Sequence, residues 1–187
     1  ETKNGDYVNE LLMLDKIAKN IRKLRTAKGA ISFEKHEVRF KLDDTGKPIG
    51  IYTKVRKDAH LLIEDFMLLA NESIAKFGSK LKVGATHQPF VYRVHDLPNE
   101  EKLIDFQLFA QKFGYKIQFD NPIQIARELN KLKKDIDGKP EQAVLQQLAI
   151  RCMAKAVYTT NNIGHYGLGF EHYTHFTSPI RRYPDVI

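Results

Sequence analysis

His172-Tyr173-Thr174-His175-Phe176-Thr177-Ser178-Pro179-Ile180-Arg181-Arg182-Tyr183-Pro184-Asp185 places two arginines in the first turn of an expected helix, directly after an approach rich in aromatic and hydroxyl side chains. Ser178 is a preferred N-cap residue and Pro179 suits the first helical position. Free backbone N–H groups and the positive end of the helix dipole then lie beside the Arg181 and Arg182 guanidiniums, so backbone and side chains can converge on one anion. The residues alone leave two readings open, a phosphate-binding site or a solvated basic helix start.

Three blocks upstream bear on that choice. Asp58-Ala59-His60-Leu61-Leu62-Ile63-Glu64-Asp65-Phe66-Met67-Leu68-Leu69-Ala70-Asn71-Glu72 is one, and Tyr92-Arg93-Val94-His95-Asp96 followed by Pro98 is the second. Asn162 with Gly164-His165-Tyr166-Gly167-Leu168-Gly169-Phe170 is the third. Together with the closing stretch they resemble, in order, the motifs of the ribonuclease II family, closer to its ribonuclease R branch. The resemblance extends over nearly the whole chain, from a helix at Leu11–Gly29 to the end.

What the resemblance implies is a helix-rich α+β piece of an RNB catalytic domain, with residues 1–187 as its C-terminal-side portion. The implied activity is processive 3′→5′ hydrolysis of single-stranded RNA to nucleoside 5′-monophosphates. Family members hold Mg2+ with an aspartate cluster in a block expected upstream of this chain, and the signature helix is expected to continue past Ile187. This piece alone is therefore expected to bind no metal and to be inactive. Arg181, then Arg182, is the implied clamp on the scissile phosphate. Glu64 matches the glutamate that orients the 3′-terminal nucleotide, and Phe33, in Gly29-Ala30-Ile31-Ser32-Phe33, the aromatic that stacks on the terminal base. Tyr173, His175, Thr177 and Ser178 are the implied remaining RNA contacts. A non-catalytic RNA-binding module of the same fold, or a basic helical scaffold for an acidic protein, are the alternatives.

Composition is compatible with these expectations. With 187 residues and 42% hydrophobic content, the chain can bury a core as one domain. A net charge of +7 favours a polyanionic partner. Cys152 is the single cysteine, which excludes an internal disulfide and fits a reducing compartment. No run of about 18 apolar residues and no signal-peptide pattern is present. Cytoplasmic location and no membrane partner are the expectation.

Periodicity adds the local structure. Val8, Leu11, Leu12, Leu14, Ile17, Ala18, Ile21 and Leu24 recur at helical spacing, with the lysines largely elsewhere and Gly29 as a stop. Residues 37–42 and 49–55 alternate around Asp43-Asp44-Thr45-Gly46, which argues for a β-hairpin whose aspartates make a turn. Asp58 is read as the cap of a helix with Ile63, Phe66, Met67, Ala70, Ile74 and Phe77 inward. A strand over 88–94 and helices over 98–113, 122–134 and 140–157 follow. The strands are expected to complete a sheet begun upstream.

Several side chains have two physical readings. Glu64 shares a helix face with Leu61 and Leu68, where an unpaired carboxylate is costly, so it needs a partner, either a Lys or Arg or a ligand. Phe33 is a core residue or a base platform worth roughly 1–3 kcal/mol per base. His165, His172 and His175 lack a cysteine or second acidic ligand at zinc-site spacing, so packing or channel shaping is preferred to a metal site. Cys152 lies between Ile150 and Met153, where an inert buried thiol is the default.

Overall fold

A computed structural model describes residues 5–31, 37–54, 56–179 and 182. Helix α1 (Val8–Ala27) leads into Gly29, whose φ of +99° turns the chain sharply toward Ala30 and Ile31. Strands β1 (Glu37–Leu42) and β2 (Pro48–Lys54) form the expected antiparallel hairpin. Its turn is closed by Asp43, whose Oδ1 accepts the Thr45 N–H at 2.9 Å, the Thr45 hydroxyl at 2.7 Å and the Lys47 N–H at 2.9 Å. Those three bonds give Asp43 a structural occupation.

Helix α2 (Asp58–Gly78) begins one residue after its N-cap, Lys57, so Asp58 is the first helical residue and not the cap. Beyond it lies a short hairpin of β3 (Lys82–Val83) and β4 (Thr86–His87), built on Gly84 at φ +61° and not anticipated from periodicity. The expected strand over 88–94 shortens to β5 (Tyr92–Val94). Helices α3 (Glu100–Gln111) and α4 (Pro122–Asp135) are N-capped by Asn99 and Asn121, which accept the Lys102 and Gln124 N–H groups at 3.0 and 2.9 Å.

Helix α5 (Gln142–Cys152) stops short of the expected 157. Met153 turns extended, and Val157–Thr159 becomes β6, antiparallel to β5 with Arg93 opposite Tyr158. A β-branched and aromatic triplet beside an open strand edge gains more from the ladder than from another helical turn. The described strands form three separate two-stranded sheets.

The main core joins Leu103, Phe106 and Ala110 of α3, Leu129 and Leu132 of α4, and Leu145, Ala149 and Cys152 of α5, with Ile117 and Ile136 from the connections. Full burial of each large aliphatic there contributes roughly 1.5–3 kcal/mol. A smaller cluster sets Ala75 of α2 against Tyr92, Val94 and Phe90. No described helix is long and apolar enough to cross a membrane.

Two helix faces depart from their sequence reading. On α1 only Ala18 is buried, and Leu11, Leu12, Leu14, Ile17 and Leu24 are exposed. On α2 the buried line is Asp65, Leu68, Asn71, Ala75 and Gly78, whereas Ile63 and Phe77 are exposed and Phe66, Met67, Ala70 and Ile74 half-buried. Polar partners from other elements stabilise Asp65 and Asn71 inside, and their line, not the apolar one, turns inward.

Candidate functional site

Residues 173–177 run beside β5 and are tied to it at both backbone and side chain. The Arg93 N–H donates to the Tyr173 carbonyl at 2.9 Å, and the Thr174 hydroxyl to the Val91 carbonyl at 2.8 Å. Tyr173 is buried, stacked on Phe170 with ring centroids 5.6 Å apart and edge-on to His165 and His175. Burial pushes its phenol above the usual tyrosine range, partly offset by an Asn71 hydrogen bond and the nearby Arg182 and Arg25 charges. Tyr173 and Thr174 therefore hold the segment from within.

The next residues are gripped by α2. Asn71 Oδ1 accepts the Phe176 N–H at 3.0 Å, the Thr177 N–H at 2.8 Å and the Thr177 hydroxyl at 3.0 Å, while its Nδ2 donates to the Tyr173 hydroxyl at 3.1 Å. His175 Nδ1 and the Tyr158 hydroxyl lie 2.6 Å apart, and the Arg93 guanidinium stands 4.5 Å over the Tyr158 ring. His175 and Thr177 are thus engaged inside the fold.

Ser178 does not take the extended backbone of an N-cap. Its φ is +58°, a left-handed conformation that costs a non-glycine residue about 1–3 kcal/mol unless its surroundings impose it. Pro179 then opens a tight turn, closed by the Arg182 N–H on the Pro179 carbonyl at 2.6 Å. Arg182 is half-buried, and its Nε is buried with no hydrogen-bond partner among the described residues. Arg181 and Phe33 lie outside the described residues.

Glu64 sits on the outer side of α2 with its side chain 45% exposed and ion-paired to Arg56. It does not share the buried face, as its apolar neighbours suggested. The buried carboxylate is the adjacent Asp65, held by Arg22 and faced by Arg25 at 3.6 Å. Burial lowers the Arg25 pKa, and the Asp65 and Glu64 charges work against that shift. Sequence reasoning missed Asp65 and Asn71. The available signal was their spacing with Leu68, Ala75 and Gly78, a helical line ending in small residues.

Behind the segment, His95 and His165 stack at 5.0 Å, and each Nδ1 accepts a backbone N–H, from Gly167 at 3.0 Å and Leu168 at 3.3 Å. Burial and the neighbouring His95 push His165 down to about 3, so its ring is neutral at pH 7, and burial lowers His95 as well. Gly169, at φ +69°, brings this loop so close to Ala30 that an added Cβ would stand 3.0 Å from the Ala30 nitrogen. The Ile31 N–H donates to the Gly167 carbonyl at 2.9 Å, which fixes the chain just before the segment that carries Phe33. Cys152 Sγ lies 3.3 Å from the Lys102 and Leu148 carbonyls, and burial raises its pKa to about 11. It is not a nucleophile at neutral pH. Among the described residues no group of three or more His, Cys, Asp or Glu could hold a metal ion.

The sequence matches the RNB domain over residues 1–187, and the chain belongs to that family. Ribonuclease R of Aquifex aeolicus (strain VF5) is 37% identical over 187 residues, 100% of this chain and 26% of that protein. The structure of Mycoplasma genitalium RNase R in complex with ribose methylated single-stranded RNA superposes with a TM-score of 0.84 at 29% identity, covering 100% of this chain and 28% of that one. The same enzyme in complex with double-stranded RNA gives 0.83 at 29% identity, with 100% and 32% covered. The chain thus spans about a quarter to a third of the length of these relatives.

Proposed function

We propose that this chain is part of the catalytic domain of a processive 3′→5′ hydrolytic exoribonuclease, which degrades single-stranded RNA to nucleoside 5′-monophosphates in the cytoplasm. The observation that carries the reading is the 173–177 segment, braced by β5 and α2, which leads to a half-buried Arg182 whose Nε has no partner within the described residues. A guanidinium whose Nε–H is unused, beside a fixed loop, suits a phosphate oxygen. Relatives named ribonuclease R, one of them solved with RNA, support RNA as the ligand.

In this reading Arg181 and Arg182 hold the scissile phosphate and stabilise the charge that develops on it. Glu64, partly exposed beside Arg56, orients the 3′-terminal nucleotide, and Phe33 stacks on its base. Ser178 presents backbone toward the phosphate, whereas Tyr173, His175 and Thr177 act by holding the loop's shape. Magnesium belongs to the proposal as the source of an activated water. The described residues do not form a site for it, so its ligands are assigned to the rest of the enzyme.

The test is single-stranded RNA, labelled at the 5′ end or throughout, given to an enzyme containing this chain with the remainder of its domain and magnesium. Release of monophosphates with stepwise shortening from the 3′ end is expected. RNA bound but never shortened would make the chain a non-catalytic RNA-binding module, and preference for an acidic peptide over RNA would make it a scaffold.

A further inference from the structure

We infer that Asn71 is a positioning residue of the site: a single buried carboxamide that fixes the 173–177 loop on α2 and thereby sets where Arg182 stands. The inference rests on the exoribonuclease reading for its kinetic consequence, but not for its structural one.

Asparagine is a weak helix former, and a buried amide is costly unless its hydrogen bonds are made. Asn71 lies in the middle of α2 and is 3% exposed. Four hydrogen bonds stabilise it there, and all four go to Tyr173, Phe176 or Thr177, more than a hundred residues along the chain. The amide's orientation is decided by its partners. Two of the donors are backbone N–H groups, which cannot accept, so the atom facing them is the oxygen.

The loop it holds has no strand ladder of its own at Phe176 and Thr177. Directly after Thr177 the chain enters the left-handed Ser178 and then the turn closed by Arg182. A strained residue persists only where neighbours impose it, and the bonds to Thr177 are the constraint immediately before the strain. Without Asn71 the backbone at 176–177 loses its anchor, Ser178 can relax, and the Arg182 guanidinium moves with it. Displacement of about 1 Å at a reacting centre can cost on the order of 100-fold in rate.

Asn71→Ala and Asn71→Asp in the complete enzyme provide the test, with single-turnover cleavage and equilibrium binding of the same RNA. Asn71→Ala is expected to slow cleavage about 100-fold while changing the dissociation constant less than about threefold. In Asn71→Asp one carboxylate oxygen can accept the same three donors, and the other can accept the Tyr173 hydroxyl proton. The rate is therefore expected to return to within about tenfold of the parent. Amide exchange at Phe176 and Thr177 should speed up at least about tenfold in Asn71→Ala, with Ala110 in α3 unchanged.

Should Asn71→Ala not fold, Thr177→Val removes one of the four bonds and is expected to show the same pattern at about three- to tenfold in rate. An unchanged cleavage rate, equal losses in rate and affinity, or Asn71→Asp no better than Asn71→Ala would overturn the inference. If the parent enzyme cleaves no RNA, the exoribonuclease reading falls instead. Exchange at Phe176 and Thr177 still decides whether Asn71 holds the loop.

Discussion

Arg22 grips the buried carboxylate of Asp65 through two nitrogens, Nε at 2.8 Å and Nη2 at 2.6 Å, and this contact fastens α1 to α2. Few apolar side chains join the two helices, since α1 buries only Ala18. Asp65→Ala would leave Arg25, whose side chain is 12% exposed, without its counter-charge. Breaking a buried pair from one side costs about 3–5 kcal/mol, against about 0–1 kcal/mol for the partly exposed Glu64→Ala. Urea unfolding of the two variants checks the contrast; equal losses would mean that the α1–α2 joint does not depend on Asp65.

Gly78 ends the buried line of α2 under the ring of Phe90. An added Cβ would meet three ring atoms at 2.4–2.7 Å, so Phe90 would have to leave the small core around Ala75, Tyr92 and Val94. Gly78→Ala is expected to destabilise by about 1–3 kcal/mol despite alanine's better helix propensity. In a Phe90→Leu background the same substitution should cost less, and additive effects would show that the ring is not the obstacle.

The half-buried His95 and His165 make stability depend on pH with a definite sign. His165 is held near 3 and His95 is also lowered, both chiefly by burial, so the unfolded chain protonates them first, near the ordinary value of about 6.5. Their contribution is complete above that value and is lost progressively as pH falls toward 3. Melting temperature should drop between about pH 6.5 and 5, before most carboxylates titrate. His165→Gln is expected to melt lower at pH 7 yet to show a shallower decline over that interval. Parallel curves for the two proteins would assign the slope elsewhere.

Replacing either arginine of the signature by lysine keeps the charge and removes the planar fork. If the fork serves the transition state, Arg181→Lys in the complete enzyme should slow single-turnover cleavage at least about tenfold with RNA affinity within about threefold. Arg182→Lys is expected to show the same pattern, because its Nε lacks any partner within the described residues. A variant that cleaves at the parent rate is not part of the clamp.

If the metal ligands belong to the rest of the enzyme, as proposed, this chain by itself should release no nucleotides from single-stranded RNA with or without magnesium. Monophosphate release by the pure chain that depends on magnesium would overturn both that expectation and the proposed division of labour.

Sequence alone determined the family, through four ordered motif blocks, and it determined the helical segments and the hairpin because those rest on local rules: apolar spacing, Pro at helix starts, and alternation around Asp43–Gly46. It also brought HYTHFTSPIRRYPD to attention as the segment in which the site is proposed. Tertiary structure alone decided which side of α2 faces inward. Hydrophobic periodicity weighs Ile63, Phe66 and Phe77 and has no means of knowing that Arg22 will neutralise Asp65 or that two distant backbone N–H groups will satisfy Asn71. The same limit explains β6, where an open strand edge outweighed helix propensity, and Ser178, which looks like a cap but is held left-handed by a loop anchored elsewhere. A buried polar group is stable only once its partners are in place, and those partners come from elements far away in the chain.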